Sequence, residues 1–131
     1  MNTNTNRTFA SRFRKVRFDL NTDGFTYASL SDLFNQYGKN AVYPFYALYI
    51  NRRSRFGEAP VVATRNEFVN LPKHLLDDCQ QMLSDPEILE AINRGECGFR
   101  IYQYTDARYN RVCFGVEWVD IPDPVPASEI V

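Results

Sequence analysis

The sequence predicts an α+β domain built on a mainly antiparallel sheet, and three observations carry that expectation. Runs in which bulky apolar residues alternate with polar ones recur along the chain, most clearly in "CGFRIYQYT" and "RVCFGVEWVDI". Such alternation marks strands with one packed face and one face turned to solvent or a partner. Two segments in the middle, "PKHLLDDCQQMLS" and "SDPEILEAINRG", instead place apolar residues at helical spacing. Strands and helices are therefore segregated along the chain, which is the mark of an α+β arrangement.

Each element has a local justification. "SRFRKVRFDL" reads as a strand closed by the turn signal "NTDG", with "FTYA" as a short continuation. "SLSDLFNQYG" reads as a short helix, capped by Ser29 or Ser31 and stopped by Gly38. "NAVYPFYALYIN" is a strong strand with Pro44 at its start or on an edge. "RRSRFGEA" turns the chain, and "PVVATRNEFVNL" returns as the second arm of a long hairpin. The helical region opens at Pro72 and restarts with Ser84 as cap and Pro86 in the first turn. Two final strands flank the loop "DARYN"; Val112, Phe114, Val116 and Trp118 share the core face, with Phe99 and Ile101 opposite and Leu48 and Ile50 on a neighbouring strand.

The expected sheet has about five strands, with the helical region between the third and fourth. Setting the first short helix aside, that is the element order of an OB-like, partly open barrel, and equally of a plain antiparallel sheet with helices on one face. The chain of 131 residues fits one domain. Its expected boundaries are a flexible N-terminal tail at 1–8, a body at 9–121 and an acidic, Pro-rich tail at 122–131 whose removal leaves stability unchanged. Hydrophobic content of 44% argues against disorder. No apolar run reaches a membrane span and the N-terminus has no signal-peptide core, so no membrane association and a cytoplasmic location are expected. Cys79, Cys97 and Cys113 are odd in number and unpaired in spacing, which agrees with a reducing compartment.

Charge is divided unevenly. Residues 1–55 carry nine Lys and Arg against three Asp and Glu, and residues 56–131 carry six against thirteen. Twelve of the fifteen cations are arginine, which stacks on flat rings and grips phosphate with paired hydrogen bonds. Tyr49 stands beside the turn holding Arg52, Arg53 and Arg55. Arg100, Tyr102 and Tyr104 line one strand face, and Arg108, Tyr109 and Arg111 occupy the last hairpin. Aromatic rings stack on unpaired bases while interleaved cations follow phosphates, so these ten residues are the candidate contacts for single-stranded nucleic acid. The same face suits a protein partner, since tyrosine and arginine are enriched in interfaces, and it is compatible with a homo-oligomer.

Catalytic chemistry finds no support. His74, Asp77 and Asp78 can share a helix face but lack a further ligand, so no metal is expected. No phosphate-binding glycine loop or nucleophile elbow occurs, and no cofactor or catalytic residue is assigned. The segments "YINRRSRFGEAPVVAT", "VNLPKHLL" and "GFRIYQY" resemble small proteins carried by phages, plasmids and conjugative elements of Gram-positive bacteria, over about residues 40–120. The resemblance implies a cytoplasmic setting and a link to mobile DNA, and it transfers no catalytic residue. Two functions fit: a non-enzymatic single-strand-binding accessory factor, or a protein-binding inhibitor such as an antidefence protein.

Overall fold

A computed structural model describes residues 18–53 and 57–130. The expected tail at 1–8 and most of the expected strand over 11–20 lie outside them; Phe18, Asp19 and Leu20 are described and are not in a strand. The elements run β1 (Thr26–Ser29), α1 (Leu30–Tyr37), β2 (Val42–Pro44), β3 (Ala47–Asn51), β4 (Ala59–Ala63), β5 (Glu67–Asn70), α2 (Leu76–Leu83), α3 (Pro86–Asn93), β6 (Cys97–Asp106) and β7 (Arg111–Asp120). Short 3-10 turns precede α2 at Lys73–Leu75 and follow β7 at Ala127–Glu129.

The protein is thus α+β, with strands in two open, mostly antiparallel sheets. One has the order β1-β5-β4-β3 and the other β2-β6-β7. Only β1 and β5 pair in parallel. The described strands number seven rather than about five, and the helical pair lies between β5 and β6 rather than after a third strand. Two breaks account for most of the difference. "NAVYPFYALYIN" is not one strand but two, because the chain changes sheets at Phe45 and Tyr46. The Phe45 N–H donates to the Cys97 carbonyl at 3.0 Å, in line with β2, and the Tyr46 N–H donates to the Ala63 carbonyl at 2.8 Å, in line with β3. "PVVATRNEFVNL" is likewise split. Its turn is closed by the Thr64 N–H on the Glu67 carbonyl at 2.9 Å, and β5 then pairs back on β4.

Local chemistry explains the helices. The Ser29 hydroxyl accepts the Asp32 N–H and the Asp32 carboxylate accepts the Ser29 N–H, both at 3.1 Å, a reciprocal cap that starts α1. Those hydrogen bonds hold the Asp32 carboxyl below its ordinary range. Leu30 and Leu33 are its buried face. α3 is capped by Asp85, not Ser84: the Asp85 carboxylate accepts the Glu87 N–H at 3.0 Å, while Ser84 ends α2. Ile92 is fully buried under it.

Both sheets contribute to one core. Ala28, Val69, Val62 and Leu48 stand in register across the four-stranded sheet, and Phe99, Ile101 and Val116 face them from the three-stranded sheet. Phe45 sits at the corner between the sheets, its ring 5.8 Å from Trp118 and 6.3 Å from Phe99. Of the expected core face on β7, only Val116 is buried; Phe114 and Trp118 are partly covered and Val112 is 53% exposed. Ile50 is partly buried and packs on this core. The reason is that the β6–β7 hairpin outruns the layer beneath it. Opposite Val112 and Phe114 stand Thr105 and Gln103, both exposed.

A second, smaller core lies on the outer face of the four-stranded sheet. Leu20, Tyr46, Ala47, Ala63 and Ala127 are buried together there, with Ile130 packed against them. The C-terminal stretch is therefore not a free tail over its described residues; it returns to the body and docks.

Candidate functional site

The β6–β7 hairpin builds the most distinctive surface. Its ten-residue strands pair along their whole length, which sets Arg100 opposite Glu117, Tyr102 opposite Gly115, Tyr104 opposite Cys113 and Asp106 opposite Arg111. All of these side chains stand on the face turned away from the core, because Phe99 and Ile101 point inward and strand side chains alternate. Tyr102 and Tyr104 are 47% and 41% exposed, and their ring centroids lie 5.8 Å apart. They form a shallow aromatic platform.

Gly115 is what seats it. A Cβ at this position would lie 2.4 Å from Cζ of Tyr102, so the ring rests directly on the β7 backbone. A glycine inside a strand commonly marks such a close approach, and that break in the alternation of "CFGVEW" was the available signal for a residue not among the sequence candidates. Gly115→Ala is expected to lift the ring, costing about 1 kcal/mol from overpacking. Strand glycines otherwise gain about 0.5–1 kcal/mol from a Cβ, so a loss is diagnostic. The near-ultraviolet circular dichroism of the tyrosine pair should change with it. An unaltered spectrum and melting temperature would show that Tyr102 does not depend on this contact.

The tip of the hairpin is also ordered by its own chemistry. The Asp106 carboxylate accepts the Arg108 N–H at 2.9 Å, and Asn110 takes the left-handed conformation, φ 47°, that asparagine tolerates. Tyr109, 63% exposed, lies between two guanidinium groups, Arg108 at 6.0 Å and Arg111 at 5.7 Å from its ring.

The other sequence candidates are elsewhere. Tyr49 lies on the outer face of the four-stranded sheet, packed edge-on against Phe18 and Phe68, and burial pushes its phenol up. Arg52 and Arg53 occupy the β3–β4 turn, and Arg55 lies outside the described residues. Arg52 Nη1 is 3.7 Å from Glu58 Oε2, an exposed ion pair too long for a hydrogen bond. Arg100 has a similar counterion, Glu117, at 3.9 Å. Since both sheets turn their inner faces to one core, their outer faces are directed apart. The hairpin therefore gathers Arg100, Tyr102, Tyr104, Arg108, Tyr109 and Arg111, and does not bring Tyr49, Arg52 and Arg53 to them.

Remaining reactive groups have structural explanations. The Asp78 carboxylate accepts the indole N–H of Trp118 at 3.2 Å, tying α2 to β7. Burial, aided by the neighbouring Asp78 charge, pushes the Cys79 thiol up to about 12, which leaves it unreactive at neutral pH. Among the described residues, no group of three His, Cys, Asp or Glu side chains is placed to hold a metal ion, and no helix is long and apolar enough to cross a membrane. No protein-family model, curated protein or solved structure matches this chain.

Proposed function

We propose that the chain is a non-enzymatic, cytoplasmic protein that binds single-stranded nucleic acid on the outer face of the β6–β7 hairpin, as an accessory factor of a mobile element. The observation that carries this reading is the exposed Tyr102–Tyr104 pair, seated on Gly115 and leading to the Arg108–Tyr109–Arg111 tip. Two adjacent rings at this spacing offer stacking surfaces for successive unpaired bases, worth about 1–3 kcal/mol each. The tip arginines supply charge for the phosphates beyond them. An OB-like mode of use, with a strand crossing a sheet face and entering flanking loops, describes this proposal. The resemblance to proteins of phages and conjugative elements agrees with it.

A protein partner on the same face is the second reading. The ion pair between Arg100 and Glu117 favours it, since that pair removes one cation from the platform and gives the surface mixed charge. Salt titration with fluorescent oligonucleotides separates the two. Tyr102→Ala should weaken binding roughly tenfold while the salt slope holds, because stacking releases no counterions. Arg108→Ala with Arg111→Ala should instead flatten the slope by about two units and weaken all sequences alike. Absence of binding to any oligonucleotide at low salt would end the nucleic-acid reading and leave the protein partner.

A further inference from the structure

The two sheets do not close on each other. β7 ends one sheet and β1 ends the other, and a groove of about 530 Å³ lies beside the free stretch of β7. Ser31 and Asn70 line it from the β1 side, His74 from the turn before α2, and Tyr104, Arg111 and Phe114 from the hairpin. Tyr104 thus belongs both to the platform and to the groove.

We propose that this groove is a nucleobase pocket that reads one base of the strand held on the platform, an inference that rests on the nucleic-acid reading above. Its composition suits that ligand. Phe114 and the neighbouring leucines give an apolar floor, which a base face prefers to water. The exposed Asn70 amide carries a donor and an acceptor on adjacent atoms, the pattern that matches a base edge with the reverse order. The Ser31 hydroxyl, 2.9 Å from that of Ser29, and the His74 ring add further polar groups. Arg111 stands at the mouth for the attached phosphate. Among the described residues that line the groove there is no carboxylate to repel it. The volume falls within the range of small-ligand sites.

The platform and the groove should answer differently to substitution. A tyrosine platform stacks every base, so it confers affinity without identity. A pocket with an amide on its wall confers identity. The test uses the full chain and fluorescent homopolymers of dA, dC and dT, each about twelve nucleotides long. The wild type should prefer one base by about tenfold. Asn70→Ala should remove that preference while keeping affinity for the weaker homopolymers. Tyr102→Ala should lower all three equally and keep the preference. His74→Ala, at an exposed turn position, provides a second reading if Asn70→Ala fails to fold. Equal binding of all three homopolymers by the wild type would overturn the pocket and leave the platform. A preference that survives both Asn70→Ala and His74→Ala would overturn it too. No binding to any of them would remove the pocket and the parent reading together.

Discussion

Phe45→Ala should be among the most damaging single substitutions in this protein, lowering stability by about 3–5 kcal/mol. Phe45 is 1% exposed and stands where the chain leaves one sheet for the other. Its ring meets Trp118 and Phe99 of the three-stranded sheet, while its backbone neighbour Tyr46 opens the four-stranded sheet. Removing the ring leaves a cavity at a corner that cannot collapse, because both flanking backbones are fixed by inter-strand hydrogen bonds. Domains of this size are stable by only about 5–15 kcal/mol, so the variant should melt on the order of 10–20 °C lower. Val112→Ala is the matched control: Val112 is apolar and on the same side of β7 as Trp118, yet 53% exposed. It should change stability by under about 0.5 kcal/mol. Urea unfolding measures both. A loss below about 1 kcal/mol for Phe45→Ala would mean that the two sheets do not share this core.

That corner also shows where the sequence stops being legible. Alternation gave the faces of β6 correctly, since a period of two is a local property: Phe99 and Ile101 are buried and Tyr102 and Tyr104 exposed. The Ser29 cap and the Gly38 stop of α1 were equally local. The sheet change at Phe45 and Tyr46 was not, because both residues are large and apolar and the run through them reads as one strand. The turn at Thr64 to Asn66 contains no glycine or proline, so it left no punctuation. Pairing of β1 with β5 joins segments about forty residues apart and has no signature in either.

The candidate site divides the same way. Its six hairpin residues were readable because hairpin neighbours in sequence are neighbours in space. Grouping them with Tyr49, Arg52 and Arg53 failed because composition does not say which sheet a strand joins. Asn70, Ser31 and His74 come from three separate elements that meet beside β7 only after the fold is complete.

The C-terminal stretch supplies the second large effect. Ending the chain at Ile121 is expected to cost about 2–4 kcal/mol, the burial of a few apolar side chains at about 25 cal/mol per Å². The composition "PDPVPASEIV" suggested an inert end, since prolines and acids resist packing. The prolines instead limit the freedom of the unfolded chain, which reduces the entropy lost on docking. The acids do not hinder it, because Asp123 and Glu129 remain exposed while Ala127, 2% exposed, enters the small core with Leu20, Tyr46, Ala47 and Ala63. Pro126 leads directly into the 3-10 turn that presents Ala127, and the Ile130 N–H donates to the Ala127 carbonyl at 3.1 Å, closing it. Gly95 records the contact from the other side. It has φ 77°, and a Cβ there would lie 2.2 Å from the Val125 carbonyl oxygen and 3.0 Å from the Tyr46 ring. Gly95→Ala should therefore reproduce part of the truncation by strain and by unseating the same segment. Thermal melts of the truncated chain and of Gly95→Ala check this together. Because both act on one contact, introducing Gly95→Ala into the truncated chain should cost less than it does in the full one. Equal costs in the two backgrounds, or a truncation that leaves the melting temperature in place, would mean that the segment contributes nothing to the fold.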